Sequence, residues 1–188
     1  MQLRMKLAAV GGAVALALAA GAPALASSHT TASKSVTGPE DAYGAVHGQA
    51  AVTGDRVPLR LRGLVKATGV VHLNGSGAKK GKTKSLTSSA GILTVVITSK
   101  PTMSQTVNLK ACHFSETEDI ALSVVGSKST GRFAGDTGPG AVRVYFAGYG
   151  PRYKSGPKKG QCNTSPNAPE LARGAVASFQ LDAVLTTP

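Results

Sequence analysis

The chain has no Trp, and only four Phe and four Tyr among its 188 residues. Its core must therefore be built from Val, Leu, Ile and Ala. That suits a narrow interior filled by side chains better than a wide cavity lined by aromatics. Acids are scarce as well: nine Asp and Glu stand against 21 Lys and Arg, a formal net charge of +12. No stretch after Ala26 is apolar enough to predict a transmembrane helix. A sustained 3.6-residue period is also missing, which excludes a helical bundle. The two cysteines form no C-x-x-C, and His29, His47 and His72 are scattered, so neither a zinc site nor any cofactor site is expected.

What is present begins with a secretory leader. Arg4 and Lys6 supply a positive start, Leu7 to Ala20 is an uncharged apolar run, and Ala24-Leu25-Ala26 is an A-x-A cleavage site. Residues 1–26 are predicted to be a Sec-type signal peptide, without a twin Arg or a lipidated Cys, cut before Ser27. The expected location is extracellular, with a freely soluble product. Residues 27–41 lack periodicity and are expected to be a flexible lead-in. Residues 42–188 are expected to form one β-barrel domain.

Along that domain the chain reads as strand after strand. Val46, Gly48, Ala50 and Val52 alternate with polar or small residues. Val57, Leu59, Leu61, Gly63 and Val65 alternate with Pro58, Arg60, Arg62 and Lys66. A strand is expected over Gly69 to Leu73, and Ile92 to Thr98, apolar on both faces and β-branched, predicts a central one. Val107, Leu109 and Ala111 lead into Cys112, and Ile120, Leu122 and Val124 share a face. Ala177, Phe179, Leu181, Ala183 and Leu185 are in phase at the end. About 8–10 short strands, punctuated by Gly and Pro, predict an all-β fold: a single antiparallel barrel, with a β-sandwich as the alternative. Closure favours the barrel because it removes exposed edges.

The stretch from Gly126 to Gly150 predicts a hairpin. Thr130 to Ala134 would be its first strand and Gly135-Asp136-Thr137-Gly138-Pro139-Gly140 an exposed connection. Ala141 to Ala147 would follow as its second strand, with Val142, Val144 and Phe146 facing inwards. Thr130 to Gly138 resembles the G-x-F-A-G-A-x-G hairpin of dirigent and allene oxide cyclase-like β-barrels, with Asp136 where that pattern has Ala. Together with Lys110-Ala111-Cys112, Cys162-Asn163-Thr164 and Gly174 to Phe179, the stretch also resembles small secreted proteins of actinobacteria. The second resemblance implies location and architecture and assigns no activity. The first implies a barrel that folds a small apolar substrate in a cavity.

Cys112 and Cys162 are the only cysteines, and an oxidising compartment predicts that they pair. Without Arg4 and Lys6, 19 basic residues remain against nine acids, a formal +10 for the chain from Ser27. Lys79, Lys80, Lys82 and Lys84 form one cluster; Arg152, Lys154, Lys158 and Lys159 form another; Arg56, Arg60 and Arg62 form a third. Such a field attracts anionic envelope polymers, lipid surfaces or other polyanions. Stacking aromatics near it are limited to Tyr149 and Tyr153, which argues against sequence-specific nucleic-acid reading.

Three apparent catalytic motifs fail on context. Ser76 to Thr83 nearly spells a P-loop, but Ser76 replaces the first Gly and no helix pattern follows. Ser76-x-x-Lys79 falls in a Gly/Lys turn rather than at a helix start. Cys112 to Asp119 gathers His113 with Glu116, Glu118 and Asp119, but a strand would put Glu116 and Glu118 opposite Asp119. The sequence thus points to a secreted, basic, disulfide-stapled barrel that acts without catalysis on polyanions or at the cell envelope. The alternative is the dirigent-like barrel that binds or cyclises a small apolar ligand. No buried acid or base is legible for that chemistry, and the oligomeric state is left open.

Overall fold

The computed structural model describes residues 35–54, 56–73, 78–165, 168 and 171–188. The expected signal peptide, its cleavage site, the lead-in as far as residue 34, and Ser76 and Gly77 of the loop motifs lie outside the described residues. The fold is all-β and antiparallel. In chain order it comprises β1 (Val36–His47), a short helix α1 (Gln49–Thr53), β2 (Val57–Gly63), β3 (Ala67–Val71), β4 (Thr83–Ser88) and β5 (Gly91–Ile97). Then come β6 (Thr102–Asn108), β7 (His113–Val125), β8 (Thr137–Tyr149) and β9 (Leu171–Thr187).

The sheet order is β5-β4-β3-β2-β1-β9-β8-β7-β6, and β5 also pairs with β7. That extra pairing closes eight strands into a barrel and leaves β6 outside the wall. The seam is short: Val95, Val96 and Ile97 lie opposite Val124, Ser123 and Leu122. Below the seam β7 runs on, and its free edge from His113 to Asp119 pairs with β6 instead. Strands β6, β7 and β8 thus extend one end of the wall as a flange.

Period-two patterning dictates which residues fill the interior. Leu61, Ala42, Leu181, Val142 and Ile120 form a row across five neighbouring strands, all buried. Leu59, Phe179, Leu185, Leu93 and Leu122 join them in one cluster. Each fully buried aliphatic or aromatic side chain contributes about 1.5–3 kcal/mol relative to exposure. Val57, Leu59 and Leu61 of β2, Ile120, Leu122 and Val124 of β7, and Phe179, Leu181, Ala183 and Leu185 of β9 point into this core as expected, while Ala177 packs in a second, smaller cluster.

Four local expectations are corrected. Strand β1 starts at Val36, inside the expected lead-in, because twelve residues register with β9 although their pattern is not apolar. Gly48 to Val52 forms α1 and its entry rather than strand, since Gly48 at φ 64° turns the chain out of β1. Thr130 to Ala134 is not a strand: two 3-10 turns, Gly126–Lys128 and Gly131–Phe133, occupy this stretch. Gly131 at φ 64° makes the turn, and a Cβ there would overlap the Ala90 carbonyl oxygen. Finally, β8 already begins at Thr137, so most of the expected connection is strand.

The 126–136 segment caps one end of the barrel. It lies along the part of β5 that β7 does not reach. The Thr130 N–H donates to the Ile92 carbonyl at 2.9 Å and the Arg132 N–H to the Ala90 carbonyl at 2.9 Å. Phe133 is fully buried beneath it. The opposite end is covered by α1, where Ala51 packs against Ala175 and Ala177 of β9. The disulfide Cys112–Cys162 lies at this second end, joining the β6–β7 turn to the loop after β8.

Candidate functional site

Strand direction turns two of the basic clusters towards the disulfide end of the barrel. Strand β8 ends there, opposite the start of β7, and β4 starts there beside the end of β3. Lys79 to Lys82 form a turn closed by the Lys82 N–H on the Lys79 carbonyl at 3.0 Å. Backbone bonds between Gly81, Lys82 and Ile97 fasten that turn to the end of β5. Lys79, Lys80, Lys82 and Lys84 are all exposed. Lys84 differs from the others: it shares the inward phase of Leu86, and its charge acts on Glu118. Burial, then Glu116, raise the Glu118 pKa, and Lys84 opposes them.

The second cluster is held in shape. Cys112 adopts φ 52° in the β6–β7 turn, where the Ala111 N–H donates to Asn108 Oδ1 at 3.0 Å. Its partner Cys162 lies 5.3 Å away between Cα atoms and closes a separation of 50 residues. Arg152 adds a second fastening: Nη1 donates to the Gly160 carbonyl at 2.7 Å and Nη2 to the Lys110 carbonyl at 2.6 Å. Its guanidinium is therefore committed to the loop. Lys154, Lys158 and Lys159 project outwards, with the Lys158 ammonium 5.8 Å from the Tyr153 ring.

The third cluster is different in kind. Arg60 and Arg62 lie on the outer wall, interleaved with Asp41 and Asp182 around a shallow depression that also includes Tyr43 and Gln180. Its charges are mixed, whereas Lys79, Lys80, Lys82, Lys154, Lys158 and Lys159 present one sign. Farther along the wall Arg143 Nε donates to Asp119 Oδ1 at 2.7 Å in an exposed pair.

The apparent catalytic motifs meet the structure as follows. Thr83–Ser88 is a strand, so no helix N-terminus follows the P-loop-like run. In β7, Glu116 and Glu118 face the side of Ile120 and Leu122, and Asp119 faces out beside Arg143. Among the described residues, His, Cys, Asp and Glu nowhere gather in a group of three that could hold a metal ion.

Two acids escaped the sequence reading. Asp136, expected in an exposed connection, is buried, and Glu40, expected in the lead-in, is fully buried. Across the sheet Glu40 stands opposite Gly63 and Ala183, whose small size leaves room for a carboxyl inside the wall. Its Oε2 accepts the Val65 N–H at 2.8 Å, while Oε1 and both Asp136 oxygens have no hydrogen-bond partner among the described residues. Burial raises the Glu40 pKa to about 7; the Val65 N–H and Arg132 pull it down, and Asp41 and Asp136 push it up. Burial likewise raises Asp136. Both acids lie at the capped end with Phe133 and Leu185, which are packed to zero exposure.

Comparison with protein-family models, curated proteins and solved structures finds no match to this chain.

Proposed function

We propose that this is a secreted, non-catalytic barrel whose disulfide end docks on polyanions such as anionic envelope polymers. The observation that carries the reading is topological. Two lysine clusters far apart in the chain, at Lys79–Lys82 and Lys154–Lys159, both lie towards the disulfide end of the closed barrel, and cross-links fasten the second cluster. Preorganised ammonium groups of one sign attract a polymer of the other sign without reading its sequence. The leader and the disulfide support an extracellular setting. The dirigent-like alternative draws less support, because Leu, Val and Phe pack the interior and the buried acids lie within that packing.

The test is retention on heparin and duplex DNA as a function of salt. Two triple variants are compared with the parent: Lys79, Lys80 and Lys82 to Gln, and Lys154, Lys158 and Lys159 to Gln. Lys84 is kept because it offsets Glu118, and Arg152 because it holds the loop. The parent should elute with a log–log slope near −4 to −5 on duplex DNA, for about 4–6 phosphate contacts. Each variant should lose up to about three contacts and elute earlier while its melting temperature stays unchanged. Equal elution of all three proteins would overturn the reading.

A further inference from the structure

We infer that the outer edge of β6 is a docking site for an extended peptide with an uncharged centre and acidic ends. Among the described residues β6 pairs with β7 alone, so its other edge offers a free row of backbone donors and acceptors. All seven residues from Thr102 to Asn108 are exposed, on both faces. Soluble proteins blunt such edges with Lys, Pro or a bulge. This strand has none of these: Thr-Met-Ser-Gln-Thr-Val-Asn is uncharged, and its register with β7 is unbroken from end to end. An extended chain added to a sheet edge gains main-chain hydrogen bonds along its length, and alternate side chains set its specificity.

The flanks choose the occupant. Met103 and Val107 are 62% and 53% exposed, lie on one face, and bracket Gln105. A second copy pairing antiparallel about Gln105 would set Met103 opposite Val107, which is favourable. The same register carries Lys100 and Lys110, which lie in the turns two residues beyond either end of the strand, close to one another at both ends of the ladder, and like charges held close destabilise a pair. A peptide with apolar residues opposite Met103 and Val107 and carboxylates at its ends, near Lys100 and Lys110, keeps the gain and reverses the penalty. Its centre must be uncharged, because Glu118 and Glu116 stand beside Met103 and Gln105 on β7.

The probe is an end-capped peptide of about eleven residues, long enough at ~3.4 Å each to run past both ends of β6 towards Lys100 and Lys110. It alternates Thr and Val and carries Asp at both ends; a control carries Lys at both ends. Fluorescence anisotropy should show the Asp-ended peptide binding about three- to tenfold more tightly than the control. The double variant Lys100→Glu, Lys110→Glu should reverse that order, with the lysines of the proposed polyanion surface untouched. Hydrogen exchange at 102–108 should slow when the Asp-ended peptide binds. The inference is overturned if neither peptide binds at about 1 mM, or if the double variant keeps the original preference. Protection appearing elsewhere than β6 would also overturn it, as would a parent protein that is already dimeric with β6 amides protected.

Discussion

Glu40 is where the chain departs furthest from a simple barrel. A carboxyl with no solvent exposure and one backbone hydrogen bond faces a lower dielectric than water, which penalises its charged form. Its pKa rises from an ordinary 4.5 to about 7, so the folded state holds this proton more tightly than the unfolded one. The linked stability is complete below about pH 4.5 and is lost as pH rises through about 7. Glu40→Gln keeps an acceptor for the Val65 N–H and removes the charge. Thermal melts should then lose the Glu40-linked part of the decline between pH 4.5 and 7, and the variant should be the more stable at pH 8, by on the order of 1–3 kcal/mol. A parent and variant with parallel melting curves across that range would show that Glu40 titrates normally. Asp136 shifts in the same direction from burial, so Asp136→Asn should act likewise.

At the scale of elements, the 126–136 cap does what three seam pairs between β5 and β7 cannot do alone. Ser129 is its pivot: Oγ accepts the Thr94 N–H at 3.0 Å and donates to the Val125 carbonyl at 3.0 Å, while Thr94 Oγ1 donates to the Lys128 carbonyl at 2.9 Å. Ser129→Ala leaves the Thr94 N–H without its acceptor, while the Val125 carbonyl still accepts the Ser129 N–H, and should cost about 1–3 kcal/mol. Phe133→Ala opens a cavity beneath the cap and should cost about 3–5 kcal/mol. Denaturant melts give both values, and hydrogen exchange should quicken first at Ile92 and Thr94. Similar exchange across the whole barrel in both variants would mean that the cap carries no separate closing role. The cap was illegible as such because Thr130 to Ala134 reads as a short, partly apolar strand, and local pattern does not show two 3-10 turns packed along β5.

For the whole molecule, the disulfide and the barrel are separable. Cys112–Cys162 fastens the flange turn to the loop after β8, outside the ring of eight strands. Changing both cysteines to Ser should lower stability by up to about 4 kcal/mol on the chain-entropy view. The far-ultraviolet circular dichroism should keep its β character, and proteases should cut first within residues 150–163. Cleavage starting in β1 or β9 instead would show that the bridge supports the barrel itself. Protein recovered from the medium of a producing cell should begin at Ser27, which N-terminal sequencing checks directly.

Alternation made the inward faces of β2, β8, β9 and the second half of β7 legible, because a period of two depends only on neighbours in the chain. The cysteine pair was legible by number alone. Alternation is silent on which strands become neighbours, so the seam between β5 and β7 and the exclusion of β6 from the ring came from the tertiary structure. Val107, in phase with Leu109 and Ala111, is exposed on the flange. Alternation also missed the start of β1, expected as lead-in, whose row carries Glu40 into the interior. Such a carboxyl is tolerated inside only because Gly63 and Ala183, distant in sequence, leave it space. The common location of the two lysine clusters follows from strand direction and register, and those are properties of the closed sheet.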